Sequence, residues 1–310
     1  MPAVSFGLPV YNGERFLADT IQSILDQTYT DFEVIVSDNV STDATLEVAR
    51  RYAARDSRVR VVSQPRNLGA VLNFATVLRE ARGQYFAWVG AHDLYDRRWL
   101  EESVDVLDAN PRAVLAYPWY GGVSLTGEEL YRQAMSFETA GLSVLQRVAE
   151  VTRMRGGGSR IYGCFRREAM QRVRVHPCAW WDRLFLTSLA VHGEFIQIER
   201  VLWHRRHSTW GKTVDKAGLA LSTLKHQLRT VHPGGKVPVY CRIPTLWHLA
   251  CLGYDLAIAP PDHVYSLRRM AVAGYAMGKH LSRMKEQLRV EVALAFARDG
   301  TSQATSEAED

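Results

Sequence analysis

The first 120 residues switch repeatedly between two hydrophobic periods, and this alternation limits the possible folds more than any other feature of the chain. Short apolar runs at 3–8, 32–37, 59–63, 85–89 and 113–119 read as buried strands. Helical spacing fills the gaps. Phe16, Leu17, Ile21, Ile24 and Leu25 lie on one face of 14–28, and Val71, Ala75 and Leu78 on one face of 68–81. A further helix runs from a cap at Ser41 or Thr42 to about residue 54, and another spans 97–107 behind an Asp96 cap. Such alternation predicts an α/β fold: a mostly parallel central sheet with helices on both faces. Ligands of such sheets bind beyond the carboxyl ends of the strands, which selects loops 9–13, 37–43, 64–69 and 90–96 as the working edge.

After Trp119 the pattern loosens. Residues 121–127 read as a loop, 137–152 as a helix, and 155–160, with three consecutive glycines, as a mobile segment. Strands are expected at 161–166 and 195–205, with a helix at 182–191 between them. From about 213 the chain reads as mainly helical, including 261–297, and the small, polar, acidic stretch 300–310 as disordered. A length of 310 residues suits one large domain with an appendage. The expected organisation is an α/β domain over 1–210, regular over about 1–120 and looser over about 121–210, then a helical region over 211–299, and the tail.

Composition narrows the class. Four cysteines without C-x-x-C spacing read as buried thiols in a reducing compartment. The N-terminus has neither the basic stretch nor the apolar core of a signal peptide, and no run reaches the ~18 apolar residues of a spanning helix. A cytoplasmic location is the expectation. The net charge of +5 is concentrated late in the chain. Those basic residues are not interleaved with stacking aromatics, which argues against a nucleic-acid partner.

The polar loops carry the chemistry. Pro9-Val10-Tyr11-Asn12 ends the first strand, where a proline turns the chain and a ring can face a base. Asp38 and Asn39 end the second and can hydrogen-bond a base edge or a ribose. Asn67 tolerates a tight turn and Gly69 lets backbone approach a ligand. Asp93 ends the fourth strand, where a carboxylate can ligate a cation bridging two phosphates; His92 can assist or face the core. Asp182, after Trp180 and Trp181, is either a helix cap or a general base beside rings on which a sugar can stack.

Taken in order, these motifs resemble the family 2 inverting glycosyltransferases of GT-A fold over roughly residues 3–210. The resemblance rests on Val-Ser-Phe-Gly-Leu-Pro-Val-Tyr-Asn-Gly at 4–13, on 23–43 through Ser-Asp-Asn-Val-Ser-Thr-Asp, on Asn67-Leu68-Gly69, on Ala91-His92-Asp93, on Asp182, and on His204-Arg205-Arg206-His207. It implies that Pro9, Tyr11, Asn12, Asp38, Asn39, Asn67, Gly69 and His92 hold the nucleotide. It also implies that Asp93, with His207, binds a divalent cation (Mn2+ or Mg2+), and that Asp182 is the catalytic base. Two departures stand out: the family usually has aspartate where His92 stands, and many members have aspartate where Asn39 stands. The Gln-x-x-Arg-Trp signature of processive members is absent, so transfer of a single sugar is expected.

The expected reaction moves a sugar, with inversion, from a UDP- or dTDP-sugar to a hydroxyl of a glycan, a lipid-linked glycan or a small molecule. A non-catalytic nucleotide-sugar-binding protein is one alternative. A nucleotidyltransferase is another, although no glycine-rich basic loop follows the first strand. In 262–297, Arg268, Arg269, Lys279, Arg283, Lys285 and Arg289 are interspersed with Met270, Val272, Tyr275, Met277, Leu281 and Leu288. That pattern fits a helix packed on the domain with a solvated basic face, or an amphipathic helix lying on an anionic membrane.

Overall fold

The computed structural model describes residues 1–133, 136–154, 157–207, 244–257, 273–282 and 288. Its centre is a nine-stranded sheet. β1 (Val4–Val10), β2 (Phe32–Asp38), β3 (Val59–Ser63) and β4 (Tyr85–Trp88) form a parallel half in the order β3-β2-β1-β4. The other half is mixed. β5 (Leu94–Tyr95), β6 (Ala113–Val123), β7 (Glu129–Gln133), β8 (Cys164–Arg166) and β9 (Glu194–Arg206) continue the order as β8-β6-β9-β5, with β7 on β6. β8 is antiparallel to both β4 and β6, whereas β6 and β9 pair in parallel. Six of the nine strands therefore point the same way, so their carboxyl ends share one edge.

Helices α1 (Glu14–Leu25), α2 (Thr45–Arg55) and α4 (Trp99–Ala109) cover one face. Helices α3 (Ala70–Glu80), α5 (Val144–Arg153), α6 (Arg167–Gln171), α7 (Trp181–Leu189) and α8 (Pro244–Ala257) cover the other. Strand alternation divides the cores: Val4, Phe6, Leu8 and Val10 face α1 and α4, while Phe86 and Trp88 face α3 and α7. Trp88 centres an aromatic cluster with Phe86, Phe165, Phe185 and Trp181 at 5.1–5.7 Å between centroids.

Several local expectations are corrected. The helix expected over 137–152 begins only at Val144, where Ser143 and Gln146 form a capping box. Part of the expected loop 121–127 is strand, because β6 runs on to Val123 and turns through 124–128 into β7. Neither Ser41 nor Thr42 caps α2. Ser41 and Thr42 bind Asn12 across the loops, and Asp43 Oδ1 accepts the Thr45 N–H at 3.0 Å. α4 starts at Trp99 rather than at 97, although Asp96 does accept the Arg98 N–H at 2.9 Å. The strand expected at 161–166 is preceded by a 3-10 turn over Gly157–Tyr162 and reduced to β8. Beyond β9, the described residues 244–257 and 273–282 are helical. The expected helical stretch from 213 to 243, the tail 300–310 and most of 262–297 lie outside the described residues. Among the described residues, no helix is long and apolar enough to cross a membrane.

Candidate functional site: the carboxyl edge of the sheet

Among the described residues, three non-glycine residues have left-handed backbone: Asn12 (φ 52°), Val40 (φ 63°) and Trp180 (φ 56°). A β-branched valine in that region is strained, and such strain persists only where the surroundings impose it. Asn12 follows β1, Val40 follows β2 and Trp180 opens the helix of Asp182, so all three adjoin candidate site residues.

The β1 and β2 loops are laced together. Asn12 N–H donates to Ser41 Oγ (2.9 Å), Thr42 N–H to Asn12 Oδ1 (2.8 Å), Gly13 N–H to Thr45 Oγ1 (2.7 Å) and Ala44 N–H to Glu14 Oε2 (2.8 Å). Asn39 is buried and joins β2 to the β3 loop: its amide donates to Asn67 Oδ1 at 3.0 Å and its carbonyl accepts the Leu68 N–H at 2.8 Å. Asn67 also accepts the Gly69 N–H at 2.9 Å, and Gly69 sits at φ 81°, where a side chain would be strained. In this arrangement the amides of Asn12, Asn39 and Asn67 shape the cradle by joining its loops. Pro9 is buried in β1. Two groups are left to face a ligand. The Tyr11 side chain is 50% exposed, and the buried Asp38 carboxylate accepts only long bonds, 3.4 and 3.3 Å, from the Ser41 N–H.

Asp93 lies deeper, 1% exposed, at the junction of the two half-sheets. Gly90 makes its position possible, because a Cβ there would come within 2.6 Å of Asp93 Oδ2. Trp203 Nε1 donates to Oδ2 (3.1 Å), the Arg206 N–H donates to Oδ1 (3.3 Å), and Thr20 Oγ1 holds the Asp93 carbonyl (2.9 Å). Burial pushes the Asp93 carboxyl above the usual range, against the pull of His92, Arg205 and these two donors. His92 is half exposed, with Nε2 3.5 Å from Asp93 Oδ1. His207 makes a 2.7 Å hydrogen bond through Nε2 to the Tyr131 hydroxyl. Burial and the charges of Arg205 and His92 lower its pKa, leaving a neutral imidazole at neutral pH.

Among the described residues no three His, Cys, Asp or Glu side chains form a preformed metal cage. The donors present still suit Mg2+ or Mn2+, which bind through one or two carboxylates and complete their octahedra with phosphate oxygens and water. Each Asp93 oxygen retains a lone pair beyond its one described hydrogen bond.

Asp182 sits in the first turn of α7, half-buried. The residue at the N-cap is Trp180, so Asp182 is not the cap. Burial raises its pKa, opposed by the N–H groups of Arg183 and Asp182 and by the Arg183 charge. Trp181 packs at 5.1 Å on Phe74 and 5.7 Å on Trp88, which commits its ring to the core wall rather than to stacking on a sugar. Tyr162 links the two acids: its hydroxyl is raised by burial first and then by the charges of both Asp93 and Asp182. Its ring lies 5.1 Å from that of Trp203. An open recess adjoins this pair, lined by Tyr117, Trp119, Tyr120, Arg160, Tyr162 and Trp203.

Trp203, Tyr162 and Tyr131 carry no motif of their own; Arg205 lies in the His204–His207 run, but none of the four was among the expected site residues. For Trp203 and Arg205 the available signal was strand period two: alternate residues of Trp203-His204-Arg205-Arg206 face the same side.

The glycosyl transferase family 2 profile matches residues 5–178. Among curated relatives, TuaG of Bacillus subtilis, a teichuronic acid biosynthesis glycosyltransferase by name, is 33% identical over 106 residues, 34% of this chain and 42% of its own length. EpsE of the same organism, a glycosyltransferase by name, is 39% identical over 108 residues, 34% of this chain and 39% of its own length. The matches thus span about two-fifths of these relatives. Among solved structures, S. aureus TarS 1–349 in complex with UDP superposes with TM-score 0.53 at 15% identity, covering 92% of this chain and 91% of that one. The mannosyltransferase PcManGT of Pyrobaculum calidifontis, in complex with GDP-Man and Mn2+, gives TM-score 0.50 at 19% identity, covering 97% and 88%. These structures share the fold. With 174 of 310 residues inside the profile (178 − 5 + 1) and the carboxylates ordered along one sheet edge, the chain belongs to glycosyl transferase family 2.

Proposed function

We propose that the chain transfers one sugar, with inversion, from a UDP- or dTDP-sugar to an acceptor hydroxyl of a glycan, a lipid-linked glycan or a small molecule. The observation that carries this reading is that the Tyr162 hydroxyl feels the charges of both the buried Asp93, assigned here to the donor side, and the half-buried Asp182, assigned to the acceptor side. That division gives each carboxyl a separate task. Tyr11 and Asp38 contact the nucleoside from a cradle that Asn12, Asn39, Asn67 and Gly69 shape. Asp93 and His92, with His207, hold a Mn2+ or Mg2+ ion that enters with the donor; when bound, the ion neutralises charge on the diphosphate. Arg205 adds a fixed positive charge there. Asp182 takes the proton from the acceptor hydroxyl as its oxygen attacks the anomeric carbon from the side opposite the diphosphate. A raised pKa suits it to the task, because a base is most effective when its pKa approaches the working pH. The recess beside Tyr162 receives the acceptor.

The test is transfer of labelled sugar by wild type and by Asp182→Asn. Loss of turnover with unchanged nucleotide affinity supports the assignment; wild-type turnover in the variant removes it. In the described part of 262–297 the apolar side faces the domain: Ala273 and Ala276 are buried, Met277 packs on the core, and Tyr275 accepts from Arg153. We therefore favour, for 262–297, a helix packed on the domain with a solvated basic face; equal flotation with phosphatidylglycerol vesicles is expected for wild type and for a Lys279→Gln, Arg283→Gln variant, and flotation lost in the variant would favour a membrane contact instead.

A further inference from the structure

Four side chains outside the donor edge meet behind the helix of Asp182. His176 and Cys178 lie on the segment leading into α7, and Cys251 and Asp255 are one turn apart on the same face of α8. Asp255 Oδ1 is 2.8 Å from His176 Nε2, and Asp255 Oδ2 accepts the Ser188 hydroxyl at 3.1 Å. The Cys251 thiol is within hydrogen-bonding reach of both Cys178 and His176. Both cysteines are free and buried, at 2% and 4% exposure, while the His176 side chain, 15% exposed, forms the side of the cluster open to solvent.

The charges are consistent with this geometry. Burial alone would lower the His176 pKa, but its hydrogen bonds to Asp255 and Cys251 override that and raise it to about 9. The Cys251 thiol is drawn below the usual range, chiefly by the hydrogen bond from Cys178 and then, against burial, by His176. The arrangement favours a thiolate at Cys251 held by an imidazolium that a carboxylate orients, with a second thiol beside it. That is the microenvironment of a reactive thiol. Cys164 shows the opposite: it is buried beneath the sheet, and its pKa is pushed well up by desolvation.

We propose that Cys178 and Cys251 are a modification site, a dithiol that a hydroperoxide converts reversibly into a disulfide. The Cys251 thiolate attacks the terminal peroxide oxygen. The O–O bond breaks, the leaving alkoxide (hydroxide, for hydrogen peroxide) takes a proton from the His176 imidazolium, and Cys251 becomes a sulfenic acid. The Cys178 sulfur then attacks the Cys251 sulfur, the S–O bond breaks, and the departing hydroxide takes the Cys178 proton as water. Two thiols are oxidised by two electrons in total, and one peroxide is reduced to alcohol and water. The disulfide would join α8 to the segment that ends in the left-handed Trp180, and so to the start of the helix holding Asp182.

The experiment treats the reduced full-length chain with hydrogen peroxide, blocks the remaining thiols with iodoacetamide, and maps unreduced tryptic peptides by mass spectrometry. The expected product links peptides 175–183 and 243–268, forms on the order of tenfold faster than Cys164 oxidises, and disappears with dithiothreitol. Cys178→Ser should stop at a Cys251 sulfenic acid that dimedone traps. Because a variant can fail to fold, the pH dependence of iodoacetamide alkylation at Cys251 is measured on wild type as well, with half-maximal rate expected below the ordinary thiol range. Absence of the linked peptides, or oxidation of Cys251 no faster than Cys164, overturns the proposal.

Discussion

Asp182 and Asp93 are two carboxyls in different surroundings. Both are raised by burial, but Asp93 is held by Trp203 and the Arg206 N–H, whereas Asp182 is opposed only by the amides and charge at the start of its own helix. Asp182→Asn should reduce turnover by ~10²–10⁴ with nucleotide affinity nearly unchanged, measured by transfer kinetics and nucleotide titration. A general base acts deprotonated, so the activity attributed to Asp182 is lost as pH falls. Because its pKa is raised, the acid limb of kcat/KM should have its midpoint above the ~3.9 of an ordinary aspartate, and a limb at or below that value would contradict the assignment. Trp203→Phe keeps the ring but removes the donor to a buried carboxylate. It should lower stability by about 1.5–3 kcal/mol in chemical denaturation.

At the scale of elements, α8 depends on a buried histidine. His248 is fully buried, with Nδ1 3.1 Å from the Ala179 carbonyl, and its pKa is lowered to about 4, by burial first. A lowered histidine pKa means that the folded state prefers the neutral ring. Its stabilisation is therefore present above the unfolded pKa near 6.5 and lost as pH falls toward 4. Hydrogen exchange over 244–257 should accelerate between pH 6.5 and 4, and His248→Asn should flatten that dependence. The capping box of α5 offers an independent check. Ser143 and Gln146 satisfy the helix start reciprocally, so Ser143→Ala should cost about 1 kcal/mol, read from thermal unfolding.

For the whole molecule, the proposed donor site draws on both halves of one sheet. Loops of the parallel half form the cradle proposed for the nucleotide, while β9 of the mixed half supplies Trp203 and Arg206 to Asp93. Donor binding should therefore stabilise both halves together. A thermal-shift panel of uridine, thymidine, guanosine, cytidine and adenosine diphosphates should show one base raising Tm, with a larger rise when Mn2+ is present. The same panel on Asp93→Ala should lose the Mn2+ increment. An undiminished increment would place the ion elsewhere.

The order of strands and helices over the first 120 residues was legible, except for the two-residue β5 (Leu94–Tyr95) inside the expected loop 90–96, because each longer element buries a continuous apolar face, and burial writes its period into the sequence. β3 was expected at 59–63 and observed there; β1, β2 and β4 shifted by no more than two residues at either end. Asp38, Asp93 and Asp182 were legible as candidates because they fall in order at the strand and helix ends that such folds use for ligands, although an aspartate there can equally serve as a cap. Their surroundings were not. Nothing in the sequence says that the amides of Asn39 and Asn67 bond to each other, since that contact spans 28 residues and depends on how two loops approach. Nor does it show that Trp203, 110 residues away, donates to Asp93. Local periodicity fixes which way a side chain leaves its own element. Which partner it meets is decided by strand order and register, and those are properties of the assembled sheet.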